Sequence, residues 1–305
     1  MDDIQKKLQT KSKATFQDYF GKGICYICIG LIILLVTCIL YFIASKGLAT
    51  FTQNHVNVFD FLTKTNWNPG ATDAKGHPDI GALPMIVTSF SVTLLAALLA
   101  TPFALGVAIF MAEFSSKRGS KILQPVIELL VGIPSVVYGF IGLSVIVPFI
   151  RGIFGGTGFG ILSGTLVLFV MILPTITSLS VDSLNAVPLF YRQASLALGA
   201  TRWQTIYKVV LRAAVPGILT AIIFGMARAF GEALAVQMVI GNAALLPKNL
   251  VSPASTLTSK LTTDIGNTVM GTLPNNALWS LALILLLMSL ILNMLVKFIG
   301  KRGRF

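Results

Sequence analysis

Six apolar runs, each long enough to cross a bilayer, set the terms for this chain. They occupy residues 24–43, 83–112, 122–149, 161–179, 217–240 and 278–299. A membrane helix needs about 20 apolar residues, because the hydrocarbon core is about 30 Å thick and a helix rises about 1.5 Å per residue. Inside lipid every backbone donor and acceptor must find an internal partner, which leaves only helices and closed barrels. The runs lack the period-two alternation of barrel strands, so they predict an all-α membrane protein with six transmembrane helices. The second and third runs exceed one bilayer thickness and contain Pro84, Pro102, Pro125, Pro134 and Pro148. Bends or projecting ends are expected there.

Charge then orients the runs. Of 305 residues only 11% are charged, against about 25% in a soluble domain, and the net charge is +12. The mean hydropathy is +0.83. Basic residues gather at Lys6, Lys7, Lys11, Lys13 and Lys22 before the first run, and at Lys117, Arg118 and Lys121 after the second. They recur at Arg192, Arg202, Lys208 and Arg212 after the fourth, and at Lys297, Lys301, Arg302 and Arg304 near the end. The alternate segments hold only Lys46, Lys64, Lys75, Arg151, Lys248 and Lys260. By the positive-inside rule both termini are cytoplasmic. The basic charge therefore reads as membrane topology, and nucleic acid is not an expected partner; membrane lipid is.

These observations divide the chain into an N-terminal cytoplasmic flank at 1–23, a first transmembrane helix at 24–45 and an extracytoplasmic loop at 46–82. A five-helix core follows at 83–299, with a cytoplasmic loop at 180–216 and a tail at 300–305. The first run is read as a retained helix rather than a cleaved signal, since its core is long and no clear A-x-A site follows. Its Cys25, Cys28 and Cys38 read as small lipophilic side chains; one CxxC without a second pair is a weak metal or redox signal.

Several chemistries are excluded by what is missing. The only histidines are His55 and His77, and no HExxH, GxSxG or P-loop pattern occurs. The chain is not expected to be an enzyme or to carry a cofactor of its own. "GGTGFG" at 155–160 follows an apolar run rather than a strand, and reads as a hairpin between spans.

The most informative polar segment is "VDSLNAVPLFYRQASLALGATRWQTIYKVVLRAAVPG". Pro188 can open a helix, and Gly199 can end one in the left-handed conformation. Thr201 is a candidate N-cap with Gln204 at the capping-box position. The segment therefore predicts helix, tight turn at Gly199–Ala200, helix. Leu189, Phe190, Leu196 and Trp203 would leave that corner with an apolar surface that needs a partner.

The spacing here resembles the EAA loop of ABC importer permeases, which reads Glu-Ala-Ala, three residues, Gly, nine residues, Ile-x-Leu-Pro. This chain has Gln193-Ala194-Ser195, Gly199 three residues on, and Val209-Val210-Leu211-Arg212 nine further. Ala194 and Gly199 match directly, Gln193 stands where the family has an acid, and Arg212 where it has proline. "FDFLTKTNWNPG", "IGALPMIVTSFSVT", "VGIPSVVYGFIGL" and "RAFGEALAVQMVIGN" are similar, in order, to the PstC family of phosphate permease subunits. The resemblance implies a MetI-like six-helix bundle that provides the translocation path of a phosphate importer. It also implies three kinds of partner: a PstA-like sister permease, two PstB-like ATPase subunits, to which the chain would couple through Gln193, Ala194, Ser195, Gly199 and Ala200, and a PstS-like extracytoplasmic phosphate-binding protein.

Arg228 and Glu232 stand out in the fifth run. An arginine near mid-depth costs roughly 2.5–3.5 kcal/mol on insertion scales. Four residues apart on one helix, the two side chains share a face and can pair. Two readings stay open: a structural ion pair between helices, or a way-station for an oxyanion, in which Glu232 competes with the anion for Arg228. Glu128 in the third run is a further intramembrane acid, expected to pair with a basic loop residue. Ser89, Ser91 and Thr93 could line a pore or join helices. Other oxyanions, an ion-coupled secondary transporter and a membrane signalling subunit are the alternative classes.

Overall fold

The computed structural model describes residues 13–72, 78–115 and 117–302. Lys6, Lys7, Lys11, Lys75, His77, Arg304 and the ends of the two terminal segments lie outside the described residues. The chain divides into two compact units, residues 1–46 and 47–305. The first holds most of helix α1 (Lys13–Thr52), with free thiols at Cys25, Cys28 and Cys38.

The second unit begins with a small cap. Helix α2 (Val58–Thr63) is followed by strands β1 (Trp67–Thr72) and β2 (Pro78–Ile80), paired antiparallel with Trp67 opposite Ile80. Phe61 is fully buried and meets Phe51 and Trp67 edge-on at centroid distances of 5.4 and 6.2 Å. Trp67 therefore contributes to packing within the cap.

The spans follow. Helix α3 (Leu83–Ile109) ends in a wide turn, Phe110–Phe114, closed by an i to i+5 bond from Ser115 N to Phe110 O at 2.8 Å. Helix α4 (Lys117–Gly132) and helix α5 (Ser135–Ile141) are separate: Pro134 lacks an N–H and pushes Ile133 out of helical conformation. A second wide turn, Gly142–Ile146, leads into α6 (Val147–Phe154). The expected third run at 122–149 is thus a short apolar helix plus a spanning segment, Ser135–Phe154. Four glycines with positive φ, Gly155, Gly156, Gly158 and Gly160, turn the chain into α7 (Ile161–Asn185).

The polar segment forms α8 (Leu189–Ala197) and α9 (Arg202–Thr205), then a third wide turn, Ile206–Val210, and α10 (Leu211–Phe230). The fifth span therefore runs Arg202–Phe230 rather than 217–240, and α11 (Leu234–Ile240) is a separate helix. Helix α12 (Leu257–Asp264) and the last span, α13 (Leu273–Arg302), complete the chain. Among the described residues, six segments are long and apolar enough to cross a membrane.

Small residues make the bundle close-packed. Ala96, Ala100, Ala104 and Ala108 recur at every fourth position of α3 and are all fully buried. They let α3 lie against α7, the packing mode favoured where lipid supplies no hydrophobic drive between helices. Ser89 accepts a hydrogen bond from Leu257 N at 2.9 Å, so it ties α3 to the start of α12.

Candidate functional site

Two places on this scaffold combine charge with broken backbone. The first is the neighbourhood of Arg228, in the last turn of α10. Gly225, one turn earlier, sets its position. A Cβ there would lie 2.6 Å from Ile176 Cγ1, so only glycine permits this approach of α10 to α7. Arg228 Nη1 then donates to Thr175 Oγ1 at 2.6 Å, and Nη2 reaches Val131 O at 3.4 Å. Tyr138 Oη donates to Leu130 O at 2.7 Å. Two side chains from other spans thus serve the last carbonyls of α4, where the break at Pro134 leaves them without intrahelical donors. A guanidinium also complements the negative end of a helix dipole.

The expected Arg228–Glu232 ion pair is not formed. Helix α10 ends at Phe230, so the two residues do not share a helix face. Glu232 sits in the break: its Oε1 accepts from Ala235 N, in the first turn of α11, at 3.2 Å, and its carbonyl accepts from Thr258 Oγ1 at 2.8 Å. Among the described residues no carboxylate lies within 4.0 Å of Arg228. A half-buried cation held by one hydroxyl and one carbonyl keeps donors and net charge available for an anion. The expected partner of Glu128 is also different: its Oε1 accepts from Gln124 Nε2 at 3.0 Å on its own helix, and it is exposed.

The second place is the α8–α9 hairpin. Gly199 has φ +82°, as the expected left-handed turn requires, and Gly199 N donates to Leu196 O at 3.0 Å. The Thr201–Gln204 capping box forms in both directions, at 3.2 and 2.9 Å. Ser195 and Thr205 hydroxyls meet at 2.9 Å and join the two limbs, and Ala200 N donates to Ser195 O at 3.3 Å. Gln193 points to solvent beside half-buried Ala194. Leu189, Phe190, Leu198 and Trp203 are exposed, Leu198 by 89%. That is an apolar knob that the described residues leave uncovered.

Beneath the knob lies an ion pair that spacing alone did not suggest. Arg192 Nη2 donates to Glu113 Oε1 at 2.9 Å and Nε to the same oxygen at 3.2 Å. The same guanidinium donates to Val187 O at 2.6 Å, just beyond α7, and to Leu184 O at 2.9 Å, in its last turn. The side chains are 16% and 11% exposed. The one available signal was an acid, Glu113, at the end of an apolar run.

Comparison with known proteins gives this geometry its setting. Residues 104–305 match the family described as the binding-protein-dependent transport system inner membrane component. The chain belongs to that family. It is an ABC importer permease subunit and a multi-pass protein of the inner membrane. This permease is 49% identical over 305 residues to the probable ABC transporter permease protein YqgH of Bacillus subtilis (strain 168), covering 100% of this chain and 97% of that protein. It is 34% identical over 251 residues to the phosphate transport system permease protein PstC of Pasteurella multocida, covering 76% of each. In fold it is similar to a chain of a bacterial alginate ABC transporter, with a TM-score of 0.62 and 16% identity over 94% of this permease and 98% of that chain. It is also similar to a chain of the MetNI methionine ABC transporter, with a TM-score of 0.56 and 18% identity over 72% of this permease and 94% of that chain. The MetI-like bundle expected from sequence is the bundle observed.

Proposed function

We propose that this permease carries inorganic phosphate, with Arg228 as a way-station on the path. The observation that carries the reading is the half-buried guanidinium of Arg228, oriented by Thr175 and Val131 and without a carboxylate partner among the described residues. Phosphate carries one or two negative charges and several acceptor oxygens at neutral pH, and a planar fork of donors matches two of them. The site must also let go, since conduction fails where binding is too tight. Two hydrogen bonds already engage the guanidinium, so the anion exchanges for part of them rather than meeting a bare charge. Glu232, fixed at the neighbouring helix break, keeps an acidic group within the same segment. Identity with PstC proteins of about 30% supports phosphate over other oxyanions.

In this reading both termini are cytoplasmic and the α8–α9 hairpin faces the cytoplasm. Its exposed apolar knob, with Gln193, Ala194, Ser195, Gly199 and Ala200, seats in one of two PstB-like ATPase subunits. A PstA-like permease completes the path, and a PstS-like protein delivers phosphate to the outer side, which carries the β1–β2 cap. ATP binding closes the ATPases, the hairpin moves, and the spans rock about Arg228.

The test is labelled-phosphate uptake in cells that lack their own permease but hold the cognate partners, with sulfate as control anion. Parent chain and Arg228→Ala are compared at matched membrane abundance. Phosphate-specific uptake that vanishes in the variant is the expected result. Uptake that persists would return Arg228 to a purely structural role, and uptake of sulfate instead would change the substrate.

A further inference from the structure

The side-chain ties between the hairpin and the end of the second span converge on Glu113, and the strongest of them is charged. Arg192 belongs to α8, yet its guanidinium donates to carbonyls at the end of α7 and to the carboxylate of Glu113 in the wide turn that closes the second span. One side chain therefore joins three elements. From the other limb, Arg202 Nη2 reaches the Glu113 carbonyl at 3.4 Å. We propose that the Glu113–Arg192 pair is the positioning link that passes hairpin movement to the second and fourth spans. The inference rests on the reading of the hairpin as the ATPase contact.

Three observations carry it. First, the pair is mostly out of solvent, and the residues whose carbonyls Arg192 serves, Leu184 and Val187, belong to one buried apolar cluster with Met111 and Val210. Water does not compete strongly for either partner there. Second, the outward charge that an EAA loop would place at position 193 is absent, because Gln193 is neutral and exposed. The hairpin's strongest polar tie points inward instead, at Arg192. Third, the hairpin hangs between two wide turns, Phe110–Phe114 on the partner span and Ile206–Val210 on its own strand of chain. Such turns interrupt the regular helix ladder and recur at functional positions. Cooperation of a rigid tie with two compliant turns directs displacement into α3 and α7, where the Ala stripe packs, rather than dissipating it at the hairpin.

Glu113→Gln removes the charge and keeps the shape, whereas Glu113→Asp keeps the charge. Each is reconstituted with the cognate partners, and co-purification, ATP hydrolysis and inorganic phosphate uptake are measured on the same samples. The expected result is an assembled Glu113→Gln complex that still hydrolyses ATP but spends about tenfold more of it per phosphate imported, as loss of a charge-assisted bond implies. Glu113→Asp recovers most of the ratio. An unchanged ratio in assembled Glu113→Gln overturns the inference. So does failure of both variants to assemble, since the pair then serves only to fold the hairpin. A parent complex without ATP-dependent uptake removes the functional reading itself, and the inference with it; a coupled parent with equally coupled variants removes the inference alone.

Discussion

Arg192 and Glu113, 79 residues apart in the chain, meet at 2.9 Å in a place where neither side chain is more than 16% exposed. Arginine is required there by geometry as well as charge. Its fork serves Glu113, Leu184 and Val187 together. Arg192→Lys offers a single point charge and loses at least one of those bonds. A charge-assisted hydrogen bond is worth about 1.5–3 kcal/mol, so backbone amides of α8 should exchange with solvent roughly ten- to a hundredfold faster in that variant. Hydrogen-exchange mass spectrometry of the purified permease checks this; unaltered protection in α8 would show that the pair does not hold the helix.

Gly199 separates backbone strain from steric crowding. An added Cβ would meet no atom within 4 Å, so the only penalty is the positive φ of +82°. That penalty is about 1–2 kcal/mol for most residues and is small for asparagine. Gly199→Asn should therefore preserve ATP-coupled uptake, and Gly199→Val should uncouple hydrolysis from flux. The reconstituted complex provides both readings, and normal coupling in Gly199→Val would count against the hairpin as the contact.

Thr175 is expected to orient Arg228 rather than to contact the spans as filler. Thr175→Val keeps the volume but removes the hydroxyl that accepts at 2.6 Å, and Thr175→Ser keeps it. The valine variant should raise the KM for phosphate uptake about tenfold while the serine variant stays near the parent. Equal effects from the two substitutions would assign Thr175 to packing.

At Gly225 the expectation is structural. A valine there would drive carbon atoms into Ile176, and overpacking of this kind costs about 1–3 kcal/mol. The thermal midpoint in detergent should fall, and uptake with it, because α10 can no longer place Arg228 beside Thr175.

Glu232 tests the pairing expected from sequence. Its carboxylate accepts from Ala235 N and has no bond to Arg228. Glu232→Gln retains an acceptor oxygen, so stability should change little, whereas Glu232→Ala should lose a hydrogen bond worth about 1 kcal/mol. If Glu232→Gln destabilised the protein as strongly as Arg228→Ala, an ion pair between them would have to form in the working molecule.

How much of this was legible in the sequence depends on distance along the chain. The α8–α9 hairpin was readable because Pro188, Gly199, Thr201 and Gln204 act through backbone chemistry within a few residues of themselves. The breaks at Pro134 and at Gly231–Ala233 were not placed by apolar content, which runs straight through both. Pro134 announced a bend but not two separate helices, and the fifth run was extended past Phe230 because α11 is as apolar as α10. That error also produced the Arg228–Glu232 pair, since spacing of four residues implies a shared face only on one helix. The real partners of Arg228 lie 53 and 97 residues away, and no local rule names them. The same holds for Glu113 and Arg192, whose meeting is a product of how α3, α7 and α8 pack.

The wide turn at Phe110–Phe114 has a consequence for how such a chain can change over time. A turn of this kind is an ordinary helix with one residue added, and that residue rotates everything after it by about 100° about the axis. Glu113 lies within this turn, so the direction of its carboxylate depends on the count of residues there. A deletion of one amino acid between Phe110 and Glu113 would leave the span about as apolar and nearly as long, and a hydropathy profile would hardly register it. The carboxylate would nevertheless be turned away from the hairpin. In this span the count of residues, as well as their character, decides where the acid points.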